Sequence, residues 1–145
     1  MCIRDRFTAT RDNGAFLNGS KIKVSAINNL TRSLLATGFP YDIRDSMENN
    51  LDYFHAMALK VQAIRRAGAA ALDLAYLAAG RFDGFWELKL KPWDTAAGSL
   101  IVQEAGGSMS DMSGNKWNVS SAGMIASNGL IHQQMLDILK KTRRG

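Results

Sequence analysis

Cysteine is almost absent from the 145-residue sequence, which contains only Cys2. A single cysteine excludes an internal disulfide and a cysteine-based zinc cluster. Long apolar runs are also missing: the longest, at 67–80, is interrupted by Asp73 and is too short to cross a bilayer. The N-terminus has no apolar segment of the kind that a secretory signal requires. These absences predict a cytoplasmic protein that makes no contact with membranes.

Histidine is scarce as well, and neither histidine belongs to a recognisable catalytic arrangement. His55 and His132 lie on predicted helices with no Ser, Cys or His partner at ligand or catalytic spacing, so we interpret both as structural. No serine sits in a nucleophile elbow. Neither a Walker loop nor a dinucleotide-binding fingerprint is present. The sequence therefore offers no motif of these nucleophilic or nucleotide-binding classes.

The overall composition is typical of one globular domain, with 46% apolar and 21% charged residues. Much of the net charge of +5 lies in a basic tail, which we define as Lys140, Lys141, Arg143 and Arg144. Cations in the last turn of a helix face its negative dipole end and promote solubility. A basic tail can also contact nucleic acid or an acidic partner. We favour the first interpretation because no other basic run is interleaved with aromatic residues.

Hydrophobic periodicity and turn residues predict strands that alternate with helices. The predicted strands are 7–10, 15–17, 21–24, 33–39, 61–66, 82–88, 109–112 and 124–127. The predicted helices are 48–60, 69–79, 94–105 and 130–142. This alternation predicts an α/β layered architecture, whose sheet need not be all parallel.

Asp94 stands where a strand-like segment gives way to a helix. A carboxylate at that position can cap the helix by accepting backbone N–H bonds. It can also hold a hard cation such as Mg²⁺, and the two roles are compatible because a carboxylate has two oxygens. The small residues Ala96, Ala97 and Gly98 allow the helix start to approach other backbone closely. We expect the adjacent Trp93 to pack in the core.

Glu87 precedes Asp94 by seven residues, in a strand rich in aromatic residues. Two positions are open to its side chain. It either lies exposed at the strand end or projects into the same pocket as Asp94. In the second arrangement one carboxylate would hold metal while the other accepted hydrogen bonds from substrate hydroxyls.

The segment 65–71 is the third candidate, since two arginines end a strand, Gly68 provides a turn and a helix follows. Free N–H groups at a helix start bind anions or hydroxyl oxygens. Arg65 or Arg66 would add a bidentate contact to phosphate, or would instead form a surface salt bridge. Asp73 we interpret as a local ion-pair or hydrogen-bond partner rather than a catalytic group.

The segment 93–107, WDTAAGSLIVQEAGG, combines an aromatic–Asp pair, small residues, an aliphatic run and paired glycines. It resembles the C-terminal signature of the inositol monophosphatase family of magnesium-dependent, lithium-sensitive phosphatases, especially its bacterial members. The similarity extends over about 7–140, with further matching segments at 14–19, 37–42, 64–68 and 80–84.

The resemblance implies a layered α/β sandwich of the sugar-phosphatase type, in which a mixed sheet is flanked by helices. It also implies that Asp94 holds the second Mg²⁺ ion. In the family, metal-activated water attacks the phosphate ester, and the metals neutralise the transferring group. The substrate-contacting set that the resemblance implies is Arg65, Gly68, Ala69, Ala70, Glu87 and Asp94.

The sequence departs from the family pattern in two local ways and one larger one. Ala69 stands where relatives usually carry Ser or Thr, and Lys89 stands where many have Gly. The family's N-terminal half supplies a Glu and an Asp-Pro-Ile-Asp-Gly-Thr type loop, and this sequence has no such loop. We therefore predict that 7–145 is the C-terminal portion of a family domain and that 1–6 is a non-native leader. No catalytic residue is assigned, and the chain alone is predicted to be inactive.

For the intact parent, the resemblance implies Mg²⁺-dependent hydrolysis of inositol monophosphate, a homodimeric state and no nucleic-acid partner. Two alternatives stay open. The substrate could be another small phosphate, such as histidinol phosphate, fructose 1,6-bisphosphate or a bisphosphorylated nucleotide. The chain could also be a non-catalytic module that binds RNA or a protein through the basic tail and the exposed surface of the half-domain. Against this, Glu87 and Asp94 keep their places, which a binding module does not require.

Overall fold

The computed structural model of the chain describes residues 4–143. Residues 1–3 of the predicted leader, and Arg144 of the basic tail, lie outside the described residues. Within the described range, Arg6 is held to the turn at Asn18, because the Arg6 amide donates to Asn18 Oδ1 at 2.8 Å.

The described residues form eight strands and four α-helices, and each predicted element has a counterpart whose ends differ by a few residues. A single 3₁₀ turn lies at Leu30–Arg32. The elements are β1 (Phe7–Thr10), β2 (Gly14–Leu17), β3 (Ser20–Ile22), β4 (Leu34–Thr37), α1 (Leu51–Ala58), β5 (Ala63–Arg65), α2 (Ala70–Ala78), β6 (Gly84–Leu88), α3 (Pro92–Glu104), β7 (Ser108–Ser110), β8 (Gly123–Ser127) and α4 (His132–Arg143).

The strands form two sheets, and the larger one is mixed, as predicted. Its five strands lie in the order β5-β4-β6-β8-β7. β5, β4 and β6 run parallel, with Leu35 opposite both Ile64 and Gly84. β8 runs antiparallel to β6 and to β7. The smaller sheet is an antiparallel arrangement of β1, β2 and β3.

Helices cover both faces of the larger sheet. α1 and α4 pack together on one face, α2 and α3 pack together on the other, and the smaller sheet packs against α3. On β6, Phe85 joins the core beneath α2 and α3, while Trp86 joins the core beneath α1 and α4. Because successive side chains of a strand point to opposite faces, Glu87 follows Phe85 onto the α2/α3 face. No helix within residues 4–143 combines the length and apolar character needed to cross a bilayer.

The two helices on this face approach each other closely at Gly98. A Cβ at that position would lie 2.7 Å from Leu74 Cδ1 of α2, so only glycine fits without displacing Leu74. The close approach holds α3 against α2. Because each helix follows one of the parallel strands, the N-terminal ends of both helices lie at the same edge of the sheet.

Candidate active site

The site lies where β4, β5 and β6 end. Because these three strands run parallel, their carboxyl ends meet at one edge of the sheet. Ligands of α/β sheets bind at such edges, where the chain leaves the strands and enters the following helices. Here the three exits are the loop at Gly38, the turn from Arg65 to α2, and the segment from Lys89 to α3.

Glu87 occupies the centre of this edge. Its carboxylate lies directly against Gly38, and a Cβ on Gly38 would overlap both carboxylate oxygens. The pKa of Glu87 is raised from 4.5 to about 7, first by burial and then by the charges of Asp73 and Asp94, while Arg66 opposes the shift. Glu87 is partly buried rather than exposed at the strand end, and Asp94 lies close enough for its charge to act on it. We call Asp73, Glu87 and Asp94 the carboxylate cluster.

Asp94 is the third residue of α3 rather than its first, since the helix begins at Pro92 after Lys91. Proline suits this first position because its φ is already helical and it has no N–H to leave unpaired. Asp94 Oδ2 accepts the backbone N–H of Lys91 at 2.9 Å, so the capping role is present. Its second oxygen has no hydrogen-bond partner among residues 4–143. That oxygen remains for a cation or another ligand.

The expectation that Trp93 packs in the core was wrong. Its side chain is 78% exposed. The residues of α3 that face the interior are Thr95, Gly98, Ser99, Ile101 and Val102, and Trp93 lies on the first turn, away from them.

The start of α2 supplies backbone donors. Gly68 adopts φ +87°, a left-handed value that favours glycine, and turns the chain into the helix. Ala69 is the N-cap and no side chain caps this start. The absence of a hydroxyl at position 69 thus leaves the first N–H groups of the helix, beginning with Ala70, without a side-chain acceptor.

The structure distinguishes between the two arginines that end β5. Both are exposed. Arg65 Nη1 donates to the carbonyl oxygen of Ile64 at 3.4 Å. Arg66 is the arginine whose positive charge lowers the pKa of Glu87. Arg66 is therefore the one linked electrostatically to the carboxylate cluster, whereas the family resemblance selected Arg65.

Asp73 differs most from its sequence interpretation. It is only 1% exposed, and its Oδ1 has no hydrogen-bond partner among the described residues. Burial raises its pKa from 3.8 to about 6. The interpretation as a local ion-pair or hydrogen-bond partner was wrong. The available signal was a lone carboxylate within the apolar helix 69–79, one turn after the helix start.

Two further residues support this edge. Lys89 adopts φ +57°, and its ammonium contacts Asp42 Oδ2 at 2.7 Å and Ser46 Oγ at 2.8 Å. The backbone conformation explains why glycine suits this position, and the ion pair ties the loop after β4 to the end of β6. Asn50 was not identified from the sequence. Its side-chain amide lies on the other face of the sheet and donates a hydrogen bond to the Gly38 carbonyl oxygen, with an N–O distance of 2.6 Å.

The donor chemistry at this edge fits Mg²⁺ only in part. Carboxylate oxygens are suitable ligands, and Asp94 has one without a partner. Residues 4–143 contain no group of three or more His, Cys, Asp or Glu side chains placed to hold one metal ion. Asp94 is therefore a single candidate ligand, and the carboxylate cluster is not by itself a metal centre.

A cavity of about 550 Å³ lies on the opposite face, lined in part by Asn50, Leu88 and Met112. Leu88 belongs with the α1/α4 core, so this cavity does not open onto Glu87. The convergence of carboxylates with raised pKa values is the stronger indication of a functional site. We therefore place the candidate site on the α2/α3 side.

His132 has a structural environment, as interpreted. Its ring lies between Ser127 Oγ at 3.0 Å and Ser110 Oγ at 2.9 Å. Burial lowers its pKa, which keeps the ring neutral. These contacts join α4 to β7 and β8, away from the carboxylate cluster.

Comparison with known proteins finds relatives in one family. The inositol monophosphatase family profile matches residues 2–144. Nus factor SuhB of Pseudomonas aeruginosa is 44% identical over 139 residues, which cover 94% of this chain and 51% of that protein. Inositol-1-monophosphatase of Synechocystis is 42% identical over 139 residues, which cover 96% of this chain and 48% of that protein.

Solved structures agree. Inositol monophosphatase from Anabaena superposes with a TM-score of 0.92 at 39% identity, covering 94% of this chain and 54% of that chain. The suhB protein from Bartonella henselae superposes with a TM-score of 0.88 at 43% identity, covering 94% and 52%. The chain spans about half the length of the relatives that it matches. Together, these matches mean that the chain belongs to the inositol monophosphatase family.

Proposed function

We propose that this chain carries the polyol-binding side of a Mg²⁺-dependent phosphatase that hydrolyses inositol monophosphate or a similar polyol phosphate. Family membership supports phosphatase function. The observation that carries the proposal is the convergence of Glu87 and Asp94 beside the uncapped start of α2. Carboxylates and backbone N–H groups together suit a ligand that has both hydroxyls and phosphate oxygens.

Each residue has a distinct part in this proposal. Asp94 offers its second oxygen to a Mg²⁺ ion, and Glu87 accepts a hydrogen bond from a polyol hydroxyl. The N–H groups of Gly68, Ala69 and Ala70 bind a substrate oxygen, and Arg65 or Arg66 contributes positive charge. When bound, Mg²⁺ would supply activation of water and neutralisation of the phosphate charge.

We further propose that the 145-residue chain has little or no activity alone. Mg²⁺ favours six oxygen ligands, and within residues 4–143 Asp94 is the one candidate that the cluster offers. The remaining ligands would come from carboxylates that are not among the described residues. A cytoplasmic location and a homodimeric parent also remain proposals.

The test is a chimera in which this chain replaces the matching segment of the Anabaena inositol monophosphatase. Phosphate release from inositol 1-phosphate is measured with Mg²⁺ for the chimera and for the isolated chain. We expect turnover by the chimera and none by the chain. Asp94→Asn should lower the chimera's activity by about 100-fold. Asp137→Asn, on the exposed side of α4, is the matched control and should not.

Two results would count against the proposal. A folded chimera that releases no phosphate would contradict the function. Robust turnover by the isolated chain would contradict the need for further ligands. The same assay compares histidinol phosphate, fructose 1,6-bisphosphate and a bisphosphorylated nucleotide, and a higher kcat/KM for one of them would change the substrate.

A second candidate function is non-catalytic binding of RNA or a protein. Relatives named Nus factor SuhB support it, as does the basic tail at the end of α4. Binding of this kind should weaken steeply with salt and be lost when Lys140 and Lys141 are replaced by Gln. A chimera that is active while the chain binds no RNA would favour the phosphatase.

A further inference from the structure

Asn50 occupies the position before α1, but its side chain does not serve that helix. Asparagine at a helix start usually caps the helix by accepting a backbone N–H of the first turn. Asn50 makes no such bond, and its backbone adopts φ +73°, a left-handed value that is unfavourable for a residue with a Cβ. Its side chain is nevertheless almost fully buried. The local structure of α1 therefore does not explain this residue, and the explanation lies with its partners.

Those partners stand at the ends of β4 and β6. The side-chain amide of Asn50 donates to the Gly38 carbonyl oxygen at 2.6 Å and to Thr37 Oγ1 at 3.0 Å. Its Oδ1 accepts the indole N–H of Trp86 at 2.7 Å, and Thr37 Oγ1 donates to the Trp86 carbonyl oxygen at 2.6 Å. Because a side-chain amide has two N–H donors and one carbonyl acceptor, every polar group of Asn50 takes part in fixing the two strand ends.

The contact between Gly38 and Glu87 carries this support to the candidate site. Trp86 belongs to the core beneath α1 and α4, and Glu87, the next residue, lies on the opposite face of the sheet. The Glu87 carboxylate lies so close to the Gly38 backbone that a Cβ on Gly38 would overlap both oxygens. This carboxylate has no hydrogen-bond partner within residues 4–143. The Gly38 backbone, which Asn50 holds from the other face, therefore limits where the Glu87 oxygens can lie.

We propose that Asn50 is a positioning residue for Glu87 and thereby selects substrates that carry hydroxyl groups. By holding the Gly38 peptide, Asn50 keeps the Glu87 carboxylate where its oxygens accept hydrogen bonds from a polyol. This inference rests on the proposed function for its ligand, whereas the link from Asn50 through Gly38 to Glu87 does not depend on that function. A site built to bind a hydroxyl discriminates against substrates that lack one, because its buried acceptor is then left unpaired.

The test compares two phosphate esters in the chimera with the Anabaena inositol monophosphatase, with Mg²⁺ present. Inositol 1-phosphate offers hydroxyls to Glu87, whereas the leaving group of p-nitrophenyl phosphate has none. Asn50→Gly removes the side chain and tolerates the left-handed backbone. We expect it to raise KM for inositol 1-phosphate about tenfold, the size of one hydrogen bond, with little change in kcat, because a hydroxyl away from the phosphate binds equally in the ground and transition states. The kcat/KM for p-nitrophenyl phosphate should change by less than about twofold.

Met57→Ala is the matched control for lost stability. Met57 is fully buried on α1, and its truncation is also destabilising but removes no hydrogen bond at Gly38. It should change kcat/KM for the two esters by the same factor. An equal fall for both esters in Asn50→Gly would indicate a purely structural role and overturn the inference, as would no fall for either ester.

Crystal structures of the chimera and of its Asn50→Gly variant test the positioning without any substrate. We expect the Glu87 carboxylate to be displaced from Gly38 in the variant, and an unchanged contact would overturn the inference. A chimera that hydrolyses p-nitrophenyl phosphate but not inositol 1-phosphate would contradict the proposed function, while the two structures would still decide the positioning. Should Asn50→Gly fail to fold, Gly38→Ala displaces the same carboxylate directly, and an unchanged ratio of kcat/KM for the two esters in that variant would overturn the inference.

Discussion

Replacing Asn50 offers the sharpest test of how this edge of the sheet is supported. Asn50 is 3% exposed and precedes α1. Its side-chain amide donates to the Gly38 carbonyl at 2.6 Å and to Thr37 Oγ1 at 3.0 Å. Its Oδ1 accepts the indole N–H of Trp86 at 2.7 Å. One side chain thus joins β4, β6 and the loop on which Glu87 rests.

The expected loss for Asn50→Ala follows from these contacts. Leaving the buried Trp86 N–H without an acceptor costs about 2 kcal/mol, and the loss of the donors to Gly38 and Thr37 adds about 1 kcal/mol. Asn50 also adopts φ +73°, where an alanine costs about 1 kcal/mol. We therefore expect Asn50→Ala to lower the free energy of unfolding by about 4 kcal/mol, a large share of the stability of a domain of this size.

Urea unfolding followed by tryptophan fluorescence measures this loss, because Trp86 is buried at the centre of the network. Asn50→Gly is the matched control. It loses the same hydrogen bonds but tolerates the left-handed backbone, so it should be about 1 kcal/mol more stable than Asn50→Ala. A loss below about 1 kcal/mol for Asn50→Ala would show that the hydrogen bonds contribute little. An Asn50→Gly variant less stable than Asn50→Ala would refute the backbone argument.

Three further predictions concern the same edge. Gly38→Ala places a Cβ on the Glu87 carboxylate, so inositol 1-phosphate should bind about tenfold more weakly, and unchanged affinity would contradict the contact. Lys89→Gly relieves the left-handed backbone but loses the ion pair with Asp42. Because each effect is about 1 kcal/mol, Lys89→Gly should change the free energy of unfolding by less than that. Lys89→Ala also loses the ion pair but keeps the strained backbone, so it should be about 1 kcal/mol less stable than Lys89→Gly. Equal stability of the two variants would count against the strain. Burial raises the pKa of Asp73 from 3.8 to about 6, so its contribution to stability is fully present below pH 3.8 and is lost as pH rises through about 6. Thermal melts should show Asp73→Asn gaining stability over the wild type across that window, and a constant difference would refute the shift.

Local patterns were sufficient for much of the architecture. The spacing of apolar residues predicted the helices, because a helix that packs on a sheet must keep one face apolar. The segment 93–107 identified the family, since its small residues and Asp94 occur together in a fixed order. The resemblance also implied substrate-contacting roles for Glu87 and for the turn at Gly68. In the structure, both lie at the edge of the sheet where the parallel strands end. The prediction of a mixed sheet was confirmed, although its strand order was not part of it.

Tertiary structure decided which of these residues meet. Tryptophan is typical of a protein core, but Trp93 lies exposed. The reason is the orientation of α3, which packs the Gly98 side of the helix against Leu74 and leaves Trp93 on another side. Arg65 and Arg66 are equivalent as neighbours in sequence, and only the path of the chain after β5 brings the charge of Arg66 to Glu87.

The amino-acid sequence by itself determined the elements, the family and the residue types available for chemistry, because periodicity and motif order are properties of neighbouring positions. Only the folded chain decided that Asp73 is buried with its Oδ1 unpartnered among the described residues and that its charge acts on Glu87. The same holds for the hydrogen bond from Trp86 to Asn50, which are 36 residues apart. The physical reason is that burial and hydrogen bonding depend on strand order and helix orientation. These are set by packing over the whole domain rather than by any local segment.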